Sequence, residues 1–308
     1  MAIVRFLSKR LFECLLVLIG VSIIAFALLR LAPSDPAVLM LPENATQQQI
    51  ADMKVKMGLD KPPVIQYFVY MGKVLQGNLG NSIFYNEPCS KLIFKRLPAT
   101  VQLALFAVLI SLLISIPLGI ISGIKRGSAV DFVSVLFALV GQSMSQVWFG
   151  LLLILLFGVT LGWLPTQGYG EFKNIIMPAV TLGLPLSAIV VRMLRSDMYD
   201  VMQEDYIVST YAKGINQSEI YFKYALKNAL LPVITVTGMQ IGQLLAGAII
   251  IEQVFGWPGL GTLTVQAINM RDFPLIQSIL LITATIFVVV NLLVDMLYTA
   301  IDPRMKLN

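Results

Sequence analysis

The sequence predicts an all-α polytopic membrane protein with six transmembrane helices, and three observations carry that prediction. Of the 308 residues, 57% are hydrophobic and only 13% charged, far from the balance of a soluble globular domain. The apolar residues gather in runs of about 20, the length that crosses a bilayer core of roughly 30 Å. Inside lipid no water reaches the backbone, so such runs must satisfy their own hydrogen bonds as helices.

The first run, about Leu11 to Leu29, follows Arg5, Lys9 and Arg10 and contains Ala25-Phe26-Ala27. That small-x-small triplet lies inside the run, so the segment reads as a retained anchor rather than a cleaved signal. A hydrophilic insert from Arg30 to Arg96 follows, broken by Pro33, Pro36, Pro42, Pro62 and Pro63. Its helical-looking ATQQQIADMKVKMG and amphipathic VIQYFVYMGKVLQG are expected to pack on the outer membrane face. Asn44-Ala45-Thr46 matches a glycosylation acceptor, a triplet too common to carry weight.

Next come Val101 to Ile121 and Phe132 to Leu161. The latter has a polar middle, Gly141 to Gln146, which suggests two helices; each half is too short to span, so one helix is expected. Pro178, Gly183 and Pro185 predict a bend in the fourth run, Ile175 to Val191. The fifth is Leu230 to Ile251, and the sixth, Leu275 to Ile301, carries Asp295 as a candidate polar contact. The chain thus divides into an N-terminal span (1–31), an extracytoplasmic insert (32–98) and a core of five spans (99–308) interrupted by a polar loop at about 196–229.

Orientation follows from basic residues in the short connections. With the N-terminus inside, the inner segments hold Arg5, Lys9, Arg10, Lys125, Arg126, Arg192, Arg195, Lys213, Lys223, Lys227, Arg304 and Lys306; the short outer loops hold Lys173 and Arg271. Both termini and the polar loop are therefore expected in the cytoplasm.

That loop is locally specified. Helices are expected from about Ser196 to Lys213 and from Gln217 to Ala229. Gly214 suits the left-handed residue that ends a helix, and Lys213 complements the C-terminal dipole. Asn216 suits an N-cap with Glu219 completing a capping box, and Ile215 with Ile220 can form the hydrophobic staple. Pro232 is expected in the first turn of the following span. A solvated connector needs neither this length nor these caps. A DNA-binding corner is opposed by sparse Lys213, Lys223 and Lys227 among Glu204, Asp205 and Glu219. Docking onto a cytoplasmic partner is the preferred reading, with nucleic acid excluded.

In the fifth span Gly238, Gly242 and Ala246 repeat every four residues, a face where another backbone can approach, within the chain or from a second subunit. Gln240, Gln243 and Glu252 are candidates to line a polar pathway. GWPGLG, Gly256 to Gly261, reads as a turn with Trp257 anchored at the membrane surface.

Catalysis finds little support. The chain has no histidine, and its two cysteines, Cys14 and Cys89, form no CxxC pair, which argues against redox chemistry, a structural zinc site or any other resident metal. Gly141-Gln142-Ser143-Met144-Ser145 misses the GxSxG pattern, and no GxxxxGK[ST] phosphate loop occurs. Any ATP-driven transport needs a separate ATPase.

In order and spacing the chain resembles permease subunits of the peptide/nickel family of ATP-binding-cassette importers over nearly its whole length. The resemblance rests on APSDP, MGLDKPPVIQY, LQGNLGNS, RLPAT, WLPTQGYG, RMLRSDMYDV, EDYIVSTYAKG with ALKNALLP, EQVFGWPGLG, MRDFPLIQ and IDPR. It implies the type I importer permease fold in a prokaryotic inner membrane. It also implies a second homologous permease as heterodimer partner, two ATPases binding ATP and Mg, and an extracytoplasmic solute-binding protein delivering di- or oligopeptides or nickel, free or chelated. No cofactor is implied in this chain itself. In that family the loop's EAA motif fits a cleft in the ATPase. Thr210, Tyr211, Ala212, Lys213 and Gly214 match its heart and Leu231-Pro232 its end, and Asp205 belongs to the same EDYIVSTYAKG stretch. Val208 occupies about the position of the motif's glutamate, a departure the peptide branch shares. A self-contained channel or secondary transporter is the alternative, though no internal repeat of spans supports it, and a membrane enzyme is more distant.

Overall fold

The structure, a computed structural model, describes residues 2–31, 46–57 and 60–301. The APSDP and IDPR motifs lie wholly or largely outside those residues, as does the Asn44-Ala45 pair. The described residues form helices: α1 (Ala2–Leu31), α2 (Gln47–Met57), α3 (Pro63–Leu75), α4 (Cys89–Ile124), α5 (Ala129–Ser143), α6 (Gln146–Leu153), α7 (Phe172–Met202), α8 (Asp205–Ala212), α9 (Gln217–Glu219), α10 (Leu226–Gly247), α11 (Ile249–Val254), α12 (Leu260–Asn269) and α13 (Phe273–Ile301). Five helices are long and apolar enough to cross a membrane, and α5 with α6 and its continuation makes up to six.

The centre is the pair α4 and α7. Small residues let the two backbones approach: a side chain at Gly183 would strike the carbonyl of Ala107, and one at Gly123 the carbonyl of Arg195. Pro178 and Pro185 lie inside α7, and Pro98 and Pro117 inside α4, and both helices continue past them. Around this pair, α10 packs on α4, α7 and α13, and α1 packs on α13. Arg10 reaches Asp295 at 3.3 Å, which gives Asp295 the structural contact expected of it.

Several expected helix boundaries are corrected. The third apolar run is not one straight helix: α5 ends at Ser143, Met144 and Ser145 are extended, and α6 leaves at 103°. Both halves still pack on α7. Gly141 rests on Ala188, while Gly150 lies against Thr181 and Phe255. Beyond α6 a π-helical stretch, Ile154–Thr160, leads to Gly168, whose amide donates to the carbonyl of Phe255 at 3.3 Å.

The first loop helix does not run from Ser196 to Lys213. Helix α7 continues to Met202 and stops at Gln203; extended Glu204 then restarts α8, its carbonyl accepting from Ile207 at 2.9 Å. The second loop helix is no separate piece. From Gln217 it continues through a π-helical stretch, Ile220–Ala225, into α10, so Pro232 lies in a helix interior rather than a first turn. The fifth span ends at Gly247 because Ala248 leaves helical geometry before α11 starts.

The segment before α4 is tied down at the same end of the bundle as α12. Asp272 caps α13 by accepting from the amide of Leu275 at 3.2 Å, and its other oxygen accepts from Ser82 Oγ and, at 3.2 Å, from the amide of Phe84. Proline at the first position of α3 leaves no orphan amide there. Tyr67 of α3 meets Ser22 of α1 at 2.7 Å and Phe26 edge-on.

Candidate functional site

The corner between α8 and α10 forms by local bonding. Gly214 adopts φ 73°. Its amide donates to Tyr211 at 3.0 Å, and the amide of Ile215 donates to Thr210 at 3.4 Å, the paired bonds of a Schellman cap. Asn216 is the expected N-cap, its side chain accepting from the amide of Ser218 at 3.2 Å. Glu219 instead pairs with Lys223 at 2.6 Å, one turn along. Ile215 and Ile220 meet in one apolar cluster, as the staple predicts.

Beneath the corner, Ile207, Ile220 and Ala225 are fully buried against Leu194 and Met198 of α7 and Ala229 and Val233 of α10. Asn228 of α10 donates to Tyr206 Oη at 2.6 Å, a second tie. The corner is therefore fastened to two long helices.

Of the residues expected to face a partner, Asp205, Tyr211, Ala212, Lys213 and Gly214 are exposed. Thr210 is turned inward: it is buried, and its hydroxyl donates to the carbonyl of Ile207 at 2.7 Å. Val208 and Phe222, 58% and 62% exposed, flank the exposed set. The corner thus sets apolar and aromatic side chains among exposed Glu204, Asp205, Lys213 and Glu219.

Glu252 does not line a pathway. It is fully buried; one oxygen accepts from Thr100 at 2.7 Å, and the other from the amides of Gly261 at 2.7 Å and Thr262 at 3.1 Å. Thr100 Oγ1 in turn accepts from the amide of Leu260 at 2.8 Å. Glu252 and Thr100 together satisfy the first-turn amides of α12. Burial pushes the Glu252 carboxyl up, while the bonds from Thr100, Thr262 and Gly261 hold it down. A side chain at Gly259 would collide with this carboxylate. Gln243 is exposed and Gln240 half-buried, so of the three polar candidates Glu252 is the one committed inside the chain.

Trp257 is likewise not a surface anchor. It is 1% exposed, its indole N–H donates to the carbonyl of Ala99 at 2.8 Å, and Tyr169 packs edge-on at 4.9 Å. The small face of α10 is occupied from within: Gly238 lies under Val294 and Gly242 under Phe287, both on α13. At these two positions the face is not open to a second subunit. Ala246 lies on the same helix, and its side chain falls outside the described set.

Two polar features were not anticipated. Asp131 accepts from Arg195 Nε and, at 2.9 Å, Nη2, and from the amide of Gly127 at 2.9 Å. The Ser128-x-x-Asp131 spacing, a helix-start signature, pointed to it: Ser128 Oγ accepts from the amide of Asp131 at 3.3 Å. Thr46 and Gln49 likewise form a reciprocal capping box that the ATQQQ stretch encodes.

Comparison with known proteins gives a consistent picture. The family model described as "Binding-protein-dependent transport system inner membrane component" matches residues 115–307, and the corresponding N-terminal model matches 3–104. A dipeptide transport system permease protein of Alkalihalophilus pseudofirmus is 41% identical over 97% of this chain and 98% of its own. An oligopeptide transport system permease protein of Bacillus subtilis is 36% identical over 98% and 99%. A glutathione transport system permease protein of Salmonella typhi is 37% identical over 98% and 99%. Among solved structures, an inward-facing MetNI methionine ABC transporter chain superposes with a TM-score of 0.55, covering 69% of this chain and 97% of that one at 15% identity, a likeness of fold alone.

Proposed function

The chain belongs to the family of binding-protein-dependent transport system inner membrane components, and from that premise we propose that it is the permease subunit of an ATP-driven importer of di- or oligopeptides. The observation that carries the proposal is near full-length similarity to permeases named for dipeptides, oligopeptides and glutathione. Nickel, free or chelated, is the second substrate to test in the same assay.

In this reading the chain lies in a prokaryotic inner membrane with both termini in the cytoplasm and pairs with a second, homologous permease. A solute-binding protein docks at the end that carries residues 256–272. Two ATPases bind and hydrolyse ATP with Mg, one of them seated on the α8–α10 corner through Val208, Tyr211 and Phe222, with Asp205, Ala212, Lys213 and Gly214 around them. Closure of the ATPase pair then moves the corner, and through Ile207 and Ile220 the ends of α7 and α10, which alternates access across the membrane. Thr210 supports this contact from beneath, and Glu252 holds the outer loop in shape.

The proposal is tested by co-purification and reconstitution. The expected result is that the chain isolates with ATPase subunits and that liposomes holding the complex and its binding protein accumulate dipeptide only with ATP. A chain that purifies alone and transports without ATP would be a self-contained transporter, and the proposal would fail.

A further inference from the structure

The break between α5 and α6 sits at an informative depth. Asp131, paired with Arg195, marks one end of α5, and at about 1.5 Å per residue Gln142 lies roughly 16 Å further along the helix. That is about half of a bilayer core of roughly 30 Å. At this depth Gln142, Ser143, Ser145 and Gln146 are exposed, and the backbone of Met144 and Ser145 is extended. Open backbone and amide side chains in mid-membrane do not face lipid; they line water or are covered by protein.

Arg192 of α7 enters the same place. Its Nη1 donates to Gln142 Oε1 at 3.0 Å, and the residue is exposed. Arg195, one turn on, is bidentate on Asp131, whereas Arg192 meets no carboxylate among the described residues. A guanidinium carries five donors in a planar fork. Most of this fork is uncommitted: Arg192 stands just past the inner end of the fourth run, and its side chain reaches back to the break.

We propose that Arg192 and the α5–α6 break form a carboxylate-binding station on the translocation path. Arg192 takes the C-terminal carboxylate of a passing peptide as a fork takes any carboxylate. Gln142, Ser143, Ser145 and Gln146 hydrogen-bond its backbone. Both features are common to peptides of any sequence, so the station holds its cargo without reading side chains. The proposal rests on the peptide-importer reading.

The test uses the full complex in liposomes. Ser143→Cys is treated with a charged, water-soluble thiol reagent, with the unsubstituted complex as background; labelling above background and its slowing by dipeptide are expected. Arg192→Gln is expected to co-purify with its partners yet take up dipeptide about tenfold more slowly, the loss of one charge-assisted contact, with Arg192→Lys in between. A Ser143→Cys complex that labels no faster than background means lipid or a subunit interface covers the break, and it overturns the station. Uptake by Arg192→Gln at the unsubstituted rate overturns it equally. If Arg192→Gln does not assemble, protection of the Ser143→Cys thiol by dipeptide decides. Absence of ATP-driven dipeptide uptake by the unsubstituted complex would instead sink the importer reading, and the station with it.

Discussion

Glu252 is fully buried and has both oxygens committed inside the protein, to three donors. Glu252→Ala leaves the Thr100 hydroxyl and two helix-start amides unsatisfied, at about 1–3 kcal/mol for each buried group. Glu252→Gln keeps one acceptor oxygen and turns a donor toward other donors, so it is expected to fall between. Thermal unfolding of the detergent-solubilised complex should rank native above Glu252→Gln above Glu252→Ala. A Glu252→Ala protein as stable as native would show that the carboxylate does not hold the loop. Gly259 belongs to the same unit, because any side chain there displaces the carboxylate.

Single elements separate cost from tolerance. Gly214 has open space where a side chain would go, yet φ 73°. Gly214→Ala therefore costs only the left-handed backbone, about 1–2 kcal/mol. Gly214→Pro cannot reach that φ and also loses the amide that bonds Tyr211. The proline variant is expected to lose ATPase co-purification and uptake, and the alanine variant to keep most of both. Normal recruitment by the proline variant would remove the corner from the coupling mechanism.

Between α4 and α7 the limit is steric. Ala107, Ser111, Ser115, Gly119 and Gly123 recur every four residues on α4, facing Ala179, Gly183 and Ser187 on α7, and all are buried. Gly183→Ala drives a methyl into a backbone carbonyl that cannot rotate away, whereas Gly20→Ala in α1 meets nothing within 4 Å. Unfolding should move to lower temperature for the first, by about 1–3 kcal/mol of lost stability, and stay level or rise slightly for the second. Equal behaviour of the two would mean that α4 and α7 are not held at close range.

Legibility in the sequence follows the range of the interaction. The Gly214 corner is readable because its cap, turn and staple lie within a few residues of each other. Burial of Trp257 is not: its acceptor, Ala99, is 158 positions away, and an indole in a Gly-Pro turn reads equally well as a membrane anchor. Glu252 misleads for the same reason, since a carboxylate at a span's end looks free until Thr100 and the start of α12 fold over it. The small face of α10 is legible as a close approach, but only the fold shows that α13 makes it. The α5–α6 break shows in the sequence as a polar middle. Length argues against it only for a straight helix, and here the second half turns away and rests Gly150 against Thr181 and Phe255.

At the scale of the whole molecule, orientation decides whether the mechanism can run. Lys125, Arg126, Arg195 and Lys213 gather where α4, α5, α7 and α8 begin or end together, while Lys173 and Arg271 stand at the opposite ends of α7 and α13. Basic residues in short connections stay on the cytoplasmic side, so the α8–α10 corner is expected inside, where an ATPase could reach it. Exposed Lys213 and exposed Glu171 lie on opposite sides of α7 and make a direct test. In intact cells a membrane-impermeant thiol reagent should label Glu171→Cys, and it should label Lys213→Cys only after the membrane is opened. The reverse pattern would place the corner outside, beyond the reach of cytoplasmic ATP, and no importer mechanism driven through Ile207 and Ile220 would survive it.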